Sequence, residues 1–141
     1  YDSTQHIDMW MLPVGDDKVI IGEYAAGEGG GVPRTVTEAT AADMASRGYT
    51  VYRTPGWRTG GAHHTYTNSV IVNKTVLVCQ FNGYATQNAQ AVAVFETAMP
   101  YHDIVPINCS DIIGLSGAIH CIVKHVPEVV LFRDTFDGHS Y

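Results

Sequence analysis

The sequence predicts an α/β fold built from a repeated strand–strand–helix–strand unit, present about two and a half times. Three observations predict it. Apolar, β-rich runs come in pairs around short polar turns, and each pair is followed by a helical pattern and one more strand-like run. The pattern restarts at near-equal intervals, at His6, His64 and His120. The chain, at 141 residues and 45% apolar, is long and apolar enough for one compact core.

The first unit opens at His6 with a strand-like run, turns at Gly15-Asp16-Asp17, and returns as "KVIIGEY". The Gly-rich "AAGEGGGVPR" reads as a flexible connection. It lacks the Lys-Ser/Thr ending of a phosphate-binding loop. "TVTEATAADMASRG" reads as a helix with Thr35 or Thr37 as N-cap and Gly48 as its stop. "YTVYRTPG" is then a strand closed by Pro55-Gly56. The second unit runs through "HTYTNSVIVNKTVLVCQF", with a turn at Asn73-Lys74. A helix follows, stopped by Pro100, and then the returning strand "YHDIVPINC". "AIHCIVKHVPEVVLF" begins the third. A strand–helix–strand segment with a short crossover makes a parallel pair. One such unit cannot bury its own apolar face, so the units are expected to pack on one another.

Composition excludes several classes of partner. Lys and Arg number 8 against 14 Asp and Glu, a formal charge of −6, and there is no basic run, so nucleic acid is not the expected partner. Stretches such as "VAVF" and "VVLF" are too short to span a bilayer, so no membrane partner is expected. The sequence starts in patterned residues without Met, and residues 1–141 read as a single partial domain. The three cysteines are too few and too odd in number for a disulfide framework, and no C-x-x-C points to zinc. Cys79 and Cys109 lie in or beside apolar runs and read as small buried hydrophobes.

Each unit begins with polar residues where a core strand should be apolar. On a strand, His6 and Asp8 share one face, as do Tyr66 and Asn68. His120 and Cys121 are adjacent, so on a strand only one of them enters the same pocket. If equivalent strands converge, His6, Asp8, Asn68 and one of His120 or Cys121 meet. Singly, each has a plain structural explanation. An H-x-D pair is often a satisfied polar contact. The neighbours His63 and His64 diverge on a strand, which argues against a metal site. Recurrence at the equivalent place in each unit favours a functional cluster. A thiol needs activation, since free Cys titrates near ~8.5 and only its thiolate attacks. His acts as acid and base in turn, and a carboxylate matches a planar guanidinium in a fork. Cys, His and Asp therefore fit a thiol hydrolase of acyl groups or one of guanidines.

The motifs "HIDMW", "HTYTNSVIVNKTVLV", "ETAMP" and "SGAIHC", in this order, resemble the bacterial peptidylarginine deiminase / agmatine deiminase family of guanidine-modifying enzymes. The likeness runs from about His6 to about Val126. It implies the pentein α/β propeller, here as an incomplete set of blades. By resemblance Cys121 is the nucleophile, His6 the general acid and base, and Asp8 a carboxylate that grips the guanidinium. Asn68 is a substrate-pocket residue, and His120 a neighbour that points outward or stands just behind the catalytic residues. The reaction implied is deimination of peptidyl-arginine through a thiouronium, with agmatine as the alternative substrate. "TYTN" resembles the peptidylarginine branch more closely. The family's earlier Arg-Asp motif, with its second carboxylate, is expected ahead of Tyr1. Arg133 and Asp134 in "LFRDTF" lie on the other side and read as surface. A missing N-terminal half or a second copy of the chain is expected to complete the pocket. Cys79 stands where the family more often has proline, an expected change in local packing only. No cofactor or metal is required by this chemistry. Two other classes compete: a non-catalytic module that binds cations or a partner chain, and a cysteine amidase, which needs an oxyanion hole.

Overall fold

In the computed structural model, residues 6–124 and 126 are described. They form two units of the expected kind. The first has strands β1 (Met11–Gly15), β2 (Lys18–Glu23) and β3 (Thr50–Thr59), with helix α1 (Val32–Ser46) between β2 and β3. A fourth strand, β4 (Ala62–Thr65), pairs with the far end of β3. The second unit has β5 (Val70–Val72), β6 (Thr75–Gln80), helix α2 (Ala85–Ala98) and β7 (Asp103–Asn108). The sheet orders are β1-β2-β3-β4 and β5-β6-β7. A short helix, α3 (Ile119–Ile122), ends the described chain. Most of the expected third unit, with Arg133 and Asp134, lies outside the described residues. No helix among the described residues is long and apolar enough to cross a membrane.

Both helix crossovers make parallel pairs. Lys18 to Glu23 run beside Thr50 to Pro55, and Thr75 to Gln80 beside Asp103 to Asn108. The hairpins β1–β2 and β5–β6 are antiparallel. The central strand β2 is buried on both faces at Val19, Ile20 and Ile21, which explains its unbroken apolar run. β7 is an edge strand, where Pro106 withdraws no ladder donor that a neighbour needs. α1 packs on β2 and β3, and α2 packs on β3 of the first sheet and on β6 and β7 of the second. One apolar core therefore spans the units, with Leu12 and Ile20 joining Val76, Val78 and Phe95.

Several local expectations change. The first strand starts at Met11, not at His6, because residues 7–9 coil into a 3-10 turn capped by His6. α1 starts at Val32 with Gly31 as N-cap and Pro33 in its first turn. Thr35 and Thr37 are therefore inside the helix, where their hydroxyls donate back to the carbonyls of Gly31 and Pro33. β3 does not close at Pro55-Gly56. It runs on to Thr59, parallel to β2 in its first half and antiparallel to β4 in its second. Gly60 and Gly61, at φ +59° and +91°, make the tight turn between β3 and β4.

Cys79 and Cys109 are fully buried, as expected, but they are not free hydrophobes. They form a disulfide with Cα atoms 5.4 Å apart. Counting cysteines missed it because pairing follows strand register. Cys79 lies beside Ile107 in the β6–β7 ladder, and the chain brings Cys109 back against β6 as it leaves the sheet. The bridge closes a span of 30 residues that contains α2. In the chain-entropy picture such a loop is worth about 3 to 4 kcal/mol. Replacing both cysteines by alanine is expected to lower the unfolding free energy by that amount in urea titrations. Adding a thiol reductant should then destabilise the parent chain and leave the double variant unchanged.

Gly56 carries a second constraint. A Cβ built there would lie 2.6 Å from Cζ of Tyr24, whose ring is 1% exposed. The Tyr24 hydroxyl is hydrogen-bonded to Nε2 of His63 at 2.7 Å, so the ring cannot easily retreat. Gly56→Ala is expected to cost roughly 1–3 kcal/mol by overpacking, measurable by urea unfolding.

Candidate active site

Three separate segments meet at one place. The first is the 3-10 turn that carries His6 and Asp8. Met9 beside them is fully buried, and the Trp10 carbonyl accepts from the Gly22 N–H at 2.8 Å, which pins the turn to β2. The second is the bend between β4 and β5, residues 66–69. Its Thr67, Asn68 and Ser69 are all fully buried. Ser69 donates to the Tyr66 carbonyl at 2.7 Å and closes the bend. Thr67 donates to the Asp8 carbonyl at 2.8 Å. Its single proton is then used, so the Thr65 hydroxyl, 2.8 Å away, is the donor in that pair. The third segment is residues 116–122, which lead into α3. Gly117 is required there by close approach, since a Cβ would sit 2.8 Å from Sγ of Cys121.

The side chain of Asn68 holds these segments together. Its Oδ1 accepts the backbone N–H groups of Ala118 at 2.9 Å and His120 at 3.1 Å, with Cys121 N–H at 3.4 Å. Its Nδ2 donates to Oδ2 of Asp8 at 2.9 Å and to Sγ of Cys121 at 3.0 Å. This pattern fixes which end of the amide is oxygen, because only an acceptor can face those N–H groups. Asp8 Oδ2 also accepts from Nδ1 of His120 at 2.6 Å, and the Cys121 thiol lies 3.6 Å from the same oxygen. Asp8 Oδ1 is buried and has no hydrogen-bond partner.

The structure thus gathers His6, Asp8, Asn68, His120 and Cys121. Ligand-type atoms of His6, Asp8 and Cys121 all lie within 4.8 Å of one another. Cys121 is an exposed free thiol and His6 is exposed. The strand logic behind this grouping does not hold, however. His6 and Asp8 meet through a 3-10 turn. Tyr66 and Asn68 diverge at the bend. The Tyr66 hydroxyl donates to Oδ1 of Asn88 at 2.6 Å, and burial pushes that hydroxyl far above its ordinary range. His120 and Cys121 lie on a helical turn, so neighbours need not point apart, and both reach Asp8. The expectation that only one of them enters the pocket is corrected. Of the two places the resemblance allows His120, outward or just behind the catalytic residues, its bond to Asp8 favours the second. Asn68 is fully buried, and its amide bonds Asp8, Cys121 and the backbone of residues 118 and 120.

His63 and His64 do point apart. His63 bonds Tyr24, while His64 stacks on Trp57 with ring centroids 4.9 Å apart and planes at 6°. Burial pushes the His64 imidazole below its ordinary value.

The chain matches the family model of the Porphyromonas-type peptidyl-arginine deiminases over residues 1–127. It belongs to that family. It is 33% identical over 98 residues to the agmatine deiminase of Medicago truncatula, a match covering 69% of this chain and 25% of that protein. The fold is that of the deiminases. A Porphyromonas gingivalis protein assigned as an arginine deiminase aligns with a TM-score of 0.74 at 20% identity, over 87% of this chain and 38% of that one. An agmatine deiminase of C. jejuni with substrate bound aligns with a TM-score of 0.70 at 15% identity, over 84% and 36%. The chain thus spans about a quarter of the length of the curated relative it matches.

Asn68→Ala would leave the buried N–H of Ala118 unpaired and leave the His120 N–H only its 3.4 Å bond to the residue-68 backbone carbonyl. The expected loss is roughly 1–3 kcal/mol of unfolding free energy, the cost of one orphaned group. Thermal or urea unfolding of the variant measures it.

Proposed function

We propose that this chain carries the cysteine side of a guanidine-deiminating site, and that its substrate is a small free guanidine of the agmatine kind. The observation that carries the reading is the meeting of Cys121, Asp8 and His6 from distant parts of the chain, with ligand-type atoms within 4.8 Å of one another. Family membership supports the reaction class. The agmatine deiminases among the sequence and structural relatives support the small substrate over peptidyl-arginine.

The roles follow from the chemistry. Asp8 accepts N–H bonds from the guanidinium and brings its carbon to Cys121. The thiolate attacks that carbon, and the positive substrate beside it stabilises the sulfur's charge. His6 gives a proton to the departing nitrogen, and ammonia leaves. A covalent thiouronium remains. His6 then takes a proton from water, which adds to the same carbon, and the C–S bond breaks to return the thiolate. Agmatine would yield N-carbamoylputrescine. The rest of the substrate clamp is assigned to sequence that the longer relatives carry outside the matched part.

The family name itself favours peptidyl-arginine as a second reading, with citrulline as product. A direct comparison decides between them. Ammonia release is measured with agmatine and with an arginine-containing peptide. The expected result is turnover of agmatine in preference to the peptide, with loss of at least about a thousandfold in Cys121→Ala. Faster release from the peptide overturns the substrate assignment. If the chain alone is silent, the product of the whole reading frame that encodes it is the sample to test. Agmatine binding without turnover, unchanged in Cys121→Ala, would leave the non-catalytic module as the better reading.

A further inference from the structure

We propose that the His120 ring is a displaceable plug on the Asp8 carboxylate, holding the place that a substrate's guanidinium must take. The inference rests on the guanidine reading above.

A guanidinium grips a carboxylate through both oxygens, two parallel N–H bonds in a fork. Neither oxygen of Asp8 is open to it. Oδ2 already accepts from Asn68 at 2.9 Å and His120 at 2.6 Å, with the Cys121 thiol at 3.6 Å. Oδ1 is shut away from solvent and has no partner. A substrate fork can form only if one of the groups around this carboxylate leaves.

Most of them cannot. Asn68 is fully buried, and its oxygen holds the N–H groups of Ala118 and His120. The Asp8 backbone is tied by Thr67 at 2.8 Å. Cys121 is crowded against Gly117, where even a methyl group would not fit. The His120 ring is different. Its side chain is 39% exposed, so water lies on its open side. Its backbone N–H is held by Asn68 independently of the ring. Rotation of this one side chain frees Oδ2 of Asp8 without moving the backbone that carries Cys121.

The exchange is chemically like for like. The carboxylate only accepts, so Nδ1 of His120 is the donor in the closed state. A guanidinium replaces this N–H on Oδ2 with its own and carries further donors on the same plane. A neutral amide brings no charge to the exchange and has no comparable advantage over the ring. The plug therefore works as a filter that favours planar cationic donors.

The test compares labelling of Cys121 by 2-chloroacetamidine, a planar cation, with labelling by neutral iodoacetamide, using mass spectrometry of the intact chain and of its peptides. In His120→Ala the amidine-to-amide rate ratio is expected to rise by roughly tenfold, the value of about one charge-assisted hydrogen bond removed from the closed state. His120→Gln retains a donor and should stay near the parent ratio. A ratio that exceeds unity in the parent and is unchanged or lower in His120→Ala overturns the plug and leaves the guanidine pocket standing. No amidine preference in either protein overturns both. A measurement on the parent chain covers the case in which His120→Ala does not fold. The NMR signal of the His120 imidazole proton shared with Asp8 should be lost as agmatine is added. Its persistence at saturating agmatine overturns the plug.

Discussion

The candidate site depends on one buried amide. Asn68 has two N–H donors and one oxygen with two lone pairs, and its neighbours use all of them. The oxygen gathers the N–H groups of Ala118 and His120, so it sets the backbone that carries Cys121. The nitrogen reaches Asp8 and the Cys121 sulfur, so it sets the distance between carboxylate and thiol. The residue is fully buried, where an unpaired amide is costly and a fully paired one is specific. Carboxylate and thiol therefore keep their spacing through a third side chain that water does not reach.

This amide can act only if the segments it joins arrive independently. The 3-10 turn with Asp8 is pinned to β2 by the Gly22–Trp10 hydrogen bond. The segment with Cys121 is anchored at both ends. At its root, the Cys109 N–H donates to the Gln80 carbonyl at 2.9 Å, and the disulfide fixes the same residue to β6. Ile113 and Ile119 are buried along its length, and Asn68 closes the far end. A mostly irregular stretch pays a large entropy cost to hold one shape. Here the cost is offset by a covalent root, buried apolar side chains and a polar clamp. The parallel crossovers supply the frame, since both units lean on α2 and share one core.

What the sequence made legible follows the range of the interaction involved. The two units could be read because β2 and β6 are apolar runs and the helices end near Gly48 and Pro100, all local signals. That His6, Asp8, Asn68 and Cys121 come together was legible from the motifs in order. The geometry of the site was not. The H-x-D spacing predicts same-face strand neighbours at His6 and Asp8, yet the strand begins only at Met11. The alternation rule of strands admits only one of His120 and Cys121, a limit that a single helical turn removes. The role of Asn68 depends on backbone N–H groups at Ala118 and His120, some fifty positions away, and no local pattern records such a partner. The Cys79–Cys109 bridge was missed for the same reason, since strand register decides it and cysteine count does not.

The donor and acceptor inventory also bears on the acyl-hydrolase alternative. An amidase of the cysteine type needs N–H groups aimed at a developing oxyanion next to the sulfur. Around Cys121, the N–H groups of Ala118, His120 and Cys121 itself all turn toward Oδ1 of Asn68, and the Asn68 amide N–H groups turn toward Asp8 and the sulfur. These backbone and amide donors beside the thiol are spent on the protein's own frame. What stands beside the sulfur is a carboxylate, which repels an oxyanion and attracts a cation. With the thiol and an exposed imidazole next to it, that inventory is matched by a substrate that brings its own N–H donors and its own positive charge. A guanidinium carries both on the carbon to be attacked, which an amide does not.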